Sequence, residues 1–176
     1  MVVLGRCFVI CPSPISLPDN RRTPESSAYI PRSVLAVDPG RSVLAVDPGD
    51  KHVGAATWHA ATLTTASKEY DADVWLPLFA KIVKRVDLVI IEKFVLYPNK
   101  ASAQSWSPML TSEMIGAMKW IALQANTSII MQGADIKIPT RRQCKARGIS
   151  IKTKSIHASD ALLHLHYFLL RNDLED

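Results

Sequence analysis

The 176 residues carry 21 lysines and arginines against 16 acidic residues, a formal net charge of +5, and 48% of them are apolar. This is the composition of an ordinary globular chain, long enough for one domain with its own core. No apolar run is long enough to span a bilayer, so no membrane partner is expected, and the basic balance admits a polyanionic partner without requiring one.

The N-terminal stretch has a short apolar run around Arg6 but lacks a basic leader, a clean apolar core and a small-residue cleavage site, so no signal peptide is expected. Residues 1–40 hold Pro12, Pro14, Pro18, Pro24 and Pro31 among Ser, Asn and Arg. Proline at that density prevents regular pairing, and the segment reads as a disordered or loosely attached arm ahead of a folded domain over 41–172. Cys7, Cys11 and Cys144 are odd in number and fit no disulfide framework. Cys7 and Cys11 have no second Cys/His pair to complete a metal site, so the three read as free thiols of a reducing cytoplasm.

Residues 32–40 and 41–49 are the same nonapeptide, RSVLAVDPG. Two copies are too short for a solenoid and read as a tandem duplication. The duplication offers Asp38 and Asp47 for one role. Only Asp47 is followed by a convincing partner strand, the stretch DKHVGAATW, so the role goes to Asp47. Residues 42–47 read as a buried strand ending on a carboxylate, with Pro48-Gly49 as the turn and Gly54-Ala55-Ala56 leaving little bulk beside Asp47. The plain alternative is a turn-forming Asp-Pro-Gly with no further role.

Residues 61–67 are expected to add a third strand of an antiparallel meander. Residues 71–85 then place Val74, Leu78, Ile82 and Val83 at helical spacing, with Trp75 and Phe79 widening the stripe and Asp71 or Asp73 as cap. Residues 87–92, DLVIIE, form a near-continuous apolar run of the kind that fills a central strand, and it too ends on an acid, Glu92. Two buried strands that each end on a carboxylate are harder to ascribe to chance than one. The alternative for Glu92 is a solvated residue paired with Lys93.

Residues 93–108 mix Phe94, Tyr97 and Trp106 with Lys93, Lys100 and Gln104. Rings and cations beside an acidic site suit nucleic acid, although Trp106 fits the core better. A helix follows over 109–125, its buried face including Met114, Ala117, Ile121 and Leu123, with Gly116 allowing close packing and Glu113 solvated. Residues 128–131 make a short apolar strand. The segment 137–154 carries Lys137, Arg141, Arg142, Lys145, Arg147, Lys152 and Lys154 with no acid among them, which suits a phosphate backbone as well as it suits a solvated face. In the final helix, 155–170, Ala158, Leu162, Leu165 and Leu169 form the apolar stripe, while His157, Asp160 and His164 recur at i, i+3 and i+7 on another face. His157 and Asp160 can reach one cation or one phosphate; His164 reads as a supporting or structural residue.

Three acids thus end up at the termini of secondary elements: Asp47, Glu92 and Asp160. A mixed α/β sheet of three antiparallel strands followed by two parallel ones, flanked by helices, brings the fourth strand beside the first and the last helix over both. Converging carboxylates repel unless a cation neutralises them, and all-oxygen ligands call for Mg²⁺ or Mn²⁺.

The ordered set of DPG-x₄-G-A in the first strand pair, the acid closing DLVIIE and HASDA opening the last helix resembles the RuvC-type Holliday junction resolvases of the RNase H-like superfamily. The resemblance covers residues 42–171. It implies that Asp47, Glu92 and Asp160 are metal-binding catalytic acids and that His157 stands at the family's fourth site position, where Asp or His occurs. It further implies a five-stranded RNase H-like sheet, two Mg²⁺ ions (with Mn²⁺ as substitute) per site, a homodimer, and paired nicking of four-way DNA junctions leaving 5′ phosphates and 3′ hydroxyls. Phe94 or Tyr97 falls where the family contacts the junction. The N-terminal arm and the duplicated nonapeptide are not family features, and the compact core looks more like the phage-encoded branch, acting in the bacterial cytoplasm, than the bacterial one. Two other functions fit parts of the pattern: a nuclease of the same fold acting on flaps or forks, and a DNA-binding protein without chemistry, which would be expected to lack one of the three acids.

Overall fold

A computed structural model describes residues 41–95 and 109–174. The expected arm, Asp38, Tyr97, Lys100, Gln104, Trp106, Cys7 and Cys11 lie outside the described residues. Strands β1 (Ser42–Asp47), β2 (His52–His59) and β3 (Thr64–Asp71) are followed by helix α1 (Ala72–Ile82), which runs on into a 3₁₀ turn at Val83–Arg85. Then come β4 (Leu88–Glu92), α2 (Leu110–Gln124), β5 (Ser128–Gln132), a 3₁₀ turn at Ala134–Ile136, α3 (Lys137–Ala146) and α4 (Ile156–Arg171). The sheet order is β3-β2-β1-β4-β5. Strands β1 to β3 pair antiparallel, and β4 lies parallel to both β1 and β5. The mixed α/β sheet expected from the sequence, with the fourth strand beside the first, is the one observed.

All six residues of β1 are buried, so both faces of this central strand are covered. Side chains alternate across a strand, and the alternation divides the core in two. Leu44, Val46, Val89 and Ile91 face α1 and α2, meeting Trp75, Phe79, Val83, Met114, Ile115, Met118 and Ala122. Val43, Ala45, Leu88 and Ile90 face α4, meeting Ala161, Leu162, Leu165, Phe168 and Leu169. Trp75 and Phe79 are fully buried with ring centroids 5.8 Å apart, and the Trp75 indole N–H donates to Met118 Sδ at 3.1 Å. Truncating either ring would cost about 3–5 kcal/mol.

The expected elements are all present, with shifts that have local causes. The third strand begins at Thr64 rather than residue 61, because β2 runs to His59 and the chain turns over 60–63, where Leu63 takes φ 50°. The inward stripe of α1 is centred on Trp75, Phe79 and Val83, whereas Val74 is 53% exposed. Asp71 does stand at the cap position, but its side chain makes no cap hydrogen bond and lies 3.4 Å from His52 instead. On α2, Met114 is buried as expected and Leu123 is not, being 67% exposed. Among the described residues Gly116 has no close neighbour: a Cβ there would meet none of their atoms within 4 Å. Helix α2 is tied to the β1–β2 turn at its start, where Asp50 accepts hydrogen bonds from the Thr111 N–H at 3.2 Å and from the Thr111 hydroxyl.

Helix α4 lies closely on the sheet because β2 has no side chain in its way. A Cβ at Gly54 would sit 1.9 Å from the His157 carbonyl oxygen. The helix starts at that point, with the Ser155 hydroxyl accepting from the Ala158 N–H at 3.2 Å. The stripe of Ala158, Leu162, Leu165 and Leu169 is buried as expected.

Candidate metal centre

Strands β1, β4 and β5 run parallel, so their carboxyl ends share one edge of the sheet, with Val46 beside Ile91 and Glu92 beside Gln132. Alternation fixes the side on which their last residues point. Asp47 follows Val43 and Ala45, Glu92 follows Leu88 and Ile90, and Gln132 follows Ile130, so all three project toward α4. The first turns of α4 bring His157, Asp160 and His164 down to meet them.

One cation ties the acids together. Lys137, the first residue of α3, places Nζ 2.7 Å from Glu92 Oε2, 2.7 Å from Asp160 Oδ2 and 3.3 Å from Asp47 Oδ1. The His157 Nδ1 lies 2.7 Å from the other Asp47 oxygen. His164 is fully buried, with Nε2 3.0 Å from Glu92 Oε2 and Nδ1 2.8 Å from the Gln132 side-chain amide. Arg141 reaches to 3.7 Å from Asp160 Oδ1. Ligand atoms of Asp47, Glu92 and His164 lie within 4.8 Å of one another, close enough to hold one metal ion.

The electrostatics follow from crowding. Burial pushes the Asp47 carboxyl up to about 8, and the neighbouring Glu92 adds to the rise, while Lys137 opposes it. Burial also raises Glu92, but hydrogen bonds with His164, Asp47 and Lys137 outweigh it and hold that carboxyl well below its ordinary range. Lys137 loses hydration by burial and regains more from Asp160 and Glu92, so its ammonium is held more tightly than an ordinary lysine's. Asp47 and Glu92 are thus driven apart, the first upward by burial and the second downward by its hydrogen bonds. A divalent cation would supply the charge that this set of oxygens lacks, and the donor set fits a hard ion.

Of the residues singled out in the sequence, Asp47, Glu92, His157 and Asp160 converge here. Arg141, Arg142, Lys145 and Arg147 are exposed on or next to α3, and Lys152 and Lys154 are exposed on the connection to α4. Lys93 and Phe94 follow Glu92 directly, and with Pro48, Val95, Thr111 and Ala134 they line a cavity of about 130 Å³ beside it. Three features were not read from the sequence. Lys137 reads as one more member of a basic run, Gln132 lies one residue past the expected strand, and the supporting role expected of His164 does not by itself name Glu92 as its partner. The signal for Gln132 was its register, two residues beyond Ile130 on the face that carries Glu92. No residue-level signal separates Lys137 from the other six cations. Cys144 is buried in a small cluster with Ile151 and Leu163. Among the described residues, no helix is long and apolar enough to cross a membrane.

No family model and no curated protein matches the chain. Solved structures do. RuvC of T. thermophilus in complex with Holliday junction substrate aligns over 74% of this chain and 95% of its own, with a TM-score of 0.51 and 16% identity. A second structure of Thermus thermophilus RuvC aligns over 76% and 97%, again at 0.51 and 16%. The fowlpox virus Holliday junction resolvase aligns over 74% and 98%, with a TM-score of 0.49 and 19% identity. The chain therefore has the RNase H-like fold of RuvC.

Proposed function

We propose that the chain is a metal-dependent endonuclease that resolves four-way DNA junctions by paired nicking. The observation that carries this reading is the convergence of Asp47, Glu92 and Asp160 on a single cation position at the carboxyl ends of parallel strands, within the fold of RuvC. An acidic cluster alone is common; an acidic cluster built by this register, in this fold, beside an exposed basic segment, points to phosphodiester chemistry.

Asp47, Glu92 and Asp160 would hold two Mg²⁺ ions, with His157 able to complete the set; Mn²⁺ would substitute. Bound there, the ions supply an activated water and charge for the departing 3′ oxygen. The chain's own groups do the rest. His157 is bonded to Asp47 and its side chain is 36% exposed, so it can orient water or take its proton. Lys137, which holds the three carboxylates, would be able to turn its ammonium to the phosphate once a cation occupied their oxygens. Arg141, Arg142, Lys145, Arg147, Lys152 and Lys154 hold the backbone by charge, which positions DNA without reading its sequence. Lys93 and Phe94 stand at the mouth of the site, where an unpaired base could stack. The products are a 5′ phosphate and a 3′ hydroxyl.

Symmetric cutting requires two sites related by a two-fold axis, hence a homodimer. Helix α2 supports one: Gly116, Trp120 and Leu123 share an outward face, and the last two are 62% and 67% exposed.

The experiment is cleavage of an end-labelled four-way junction with Mg²⁺ or Mn²⁺, beside linear duplex, flap and fork, followed by ligation of the products. Symmetric nicks that DNA ligase reseals support the reading. Preference for flaps or forks moves the function to a different branched substrate, and junction binding without cutting under either metal leaves a binding protein.

A further inference from the structure

His164, on α4, touches a site carboxylate while being shut off from solvent. Its position is set three times over. Nε2 meets Glu92 Oε2 at 3.0 Å, Nδ1 meets the Gln132 side chain at 2.8 Å, and the backbone on either side packs Leu163 and Leu165 into separate apolar clusters. Gln132, itself only 7% exposed, is anchored by its register beside Glu92 on the neighbouring strand. Its amide can present oxygen or nitrogen to Nδ1 by turning over, so the contact holds in either protonation state of the ring. The same Glu92 oxygen is shared with Lys137. A lysine on its flexible four-carbon stem can swing away, whereas a buried imidazole braced by a buried amide has no such freedom.

We propose that His164 and Gln132 form a positioning pair that fixes the orientation of Glu92, so that the carboxylate turns one oxygen, Oε2, to the cation position that Lys137 marks. The inference rests on the metal-site reading above. Single-oxygen ligation suits the near-ideal octahedron of Mg²⁺, whereas a carboxylate free to rotate can give both oxygens to the larger, more permissive Ca²⁺. His164 is thus a determinant of which cation the site accepts and how tightly, acting through Glu92 and not through the substrate. Groups that brace metal ligands in this way typically change affinity by about 10–100-fold when removed.

The test is calorimetric titration of Mn²⁺, Mg²⁺ and Ca²⁺ into the full DNA-free chain, for wild type, His164→Leu, His164→Gln and Gln132→Met, each checked by thermal melting in chelator. The glutamine at 164 can return an N–H near the Nε2 position; leucine fills volume without a donor. Expected is a loss in Mn²⁺ affinity of about tenfold or more for His164→Leu, recovered to within about threefold by His164→Gln, with the preference for Mg²⁺ over Ca²⁺ reduced in the leucine variant only. Should His164→Leu fail to fold, Gln132→Met carries the test, with an expected loss of about threefold to tenfold. Folded variants that bind all three cations like wild type overturn this inference and leave the metal site standing. A wild type that binds no Mn²⁺ overturns both.

Discussion

Replacing Gly54 with alanine puts a methyl carbon 1.9 Å from the His157 carbonyl oxygen, 2.2 Å from its carbonyl carbon and 2.8 Å from the Ala158 nitrogen. These are backbone atoms in the first turn of α4, so no rotamer change relieves the clash. Contacts between non-bonded heavy atoms settle near 3.5 Å, and the helix start must therefore retreat by about 1.5 Å. Overpacking of this kind costs about 1–3 kcal/mol of stability. The larger effect falls on chemistry, since His157 and Asp160 ride on that turn and a displacement of about 1 Å can cost about a hundredfold in rate. The β2 backbone at Gly54 is extended and open to alanine, so the effect is steric alone. Single-turnover cleavage of a four-way junction is expected to slow by about a hundredfold or more, while junction binding, which we propose is carried by cations of α3 and the following connection, should change by less than about threefold. A variant that melts like wild type and cuts within about threefold of its rate would refute the close seating of α4 on β2.

Lys137→Met removes the cation shared by three acids, and breaking such a partly buried cluster should destabilise the metal-free protein by about 3 kcal/mol. Saturating Mg²⁺ should restore most of the loss, read as a melting shift between chelator and metal; equal melting of variant and wild type in chelator would contradict the cluster. In the metal-free protein, Asp47 keeps its proton up to about pH 8, while an unfolded aspartate has lost it by about pH 5. Unfolding then releases a proton, so stability should fall as pH rises across that window, and added Mg²⁺ should stabilise more at the upper end. Glu92, held low, and Lys137, held high, do not titrate there. A melting temperature independent of pH in chelator would count against the raised Asp47. Trp120→Glu with Leu123→Glu should leave the fold intact and yield a monomer by light scattering that nicks singly; a dimer with paired nicks would place the interface elsewhere.

The sheet was legible because its interior strands are nearly pure apolar runs. SVLAVD and DLVIIE each announce burial on both faces, and the acid that ends each run marks where the sheet meets the site. The edge strand β3, TTASKEYD, is largely exposed and shows no clean alternation, which is why its start was misplaced. Helix faces were harder. In α1 the sequence VWLPLF is apolar on nearly every side, so spacing alone does not choose between Val74 and Trp75; in the fold it is Trp75 and Phe79 that join the core with β1 and β4. In α2, Leu123 satisfies the period but points away from the sheet. Within the site, the three acids and His157 followed from position in the chain, whereas Lys137 depends on where α3 begins in space, and a lysine among six other cations carries no mark of that.

The most direct measurement compares junction cleavage in Mg²⁺ by wild type, Asp47→Asn and Asp38→Asn. Asp47 stands at the carboxyl end of β1, bonded to His157 and Lys137, whereas Asp38 belongs to the other copy of the repeat. Loss of cleavage in Asp47→Asn with binding retained, together with full cleavage by Asp38→Asn, is the expected result. Undiminished cutting by Asp47→Asn would contradict the account at its centre, because the cation position then has no role in the reaction.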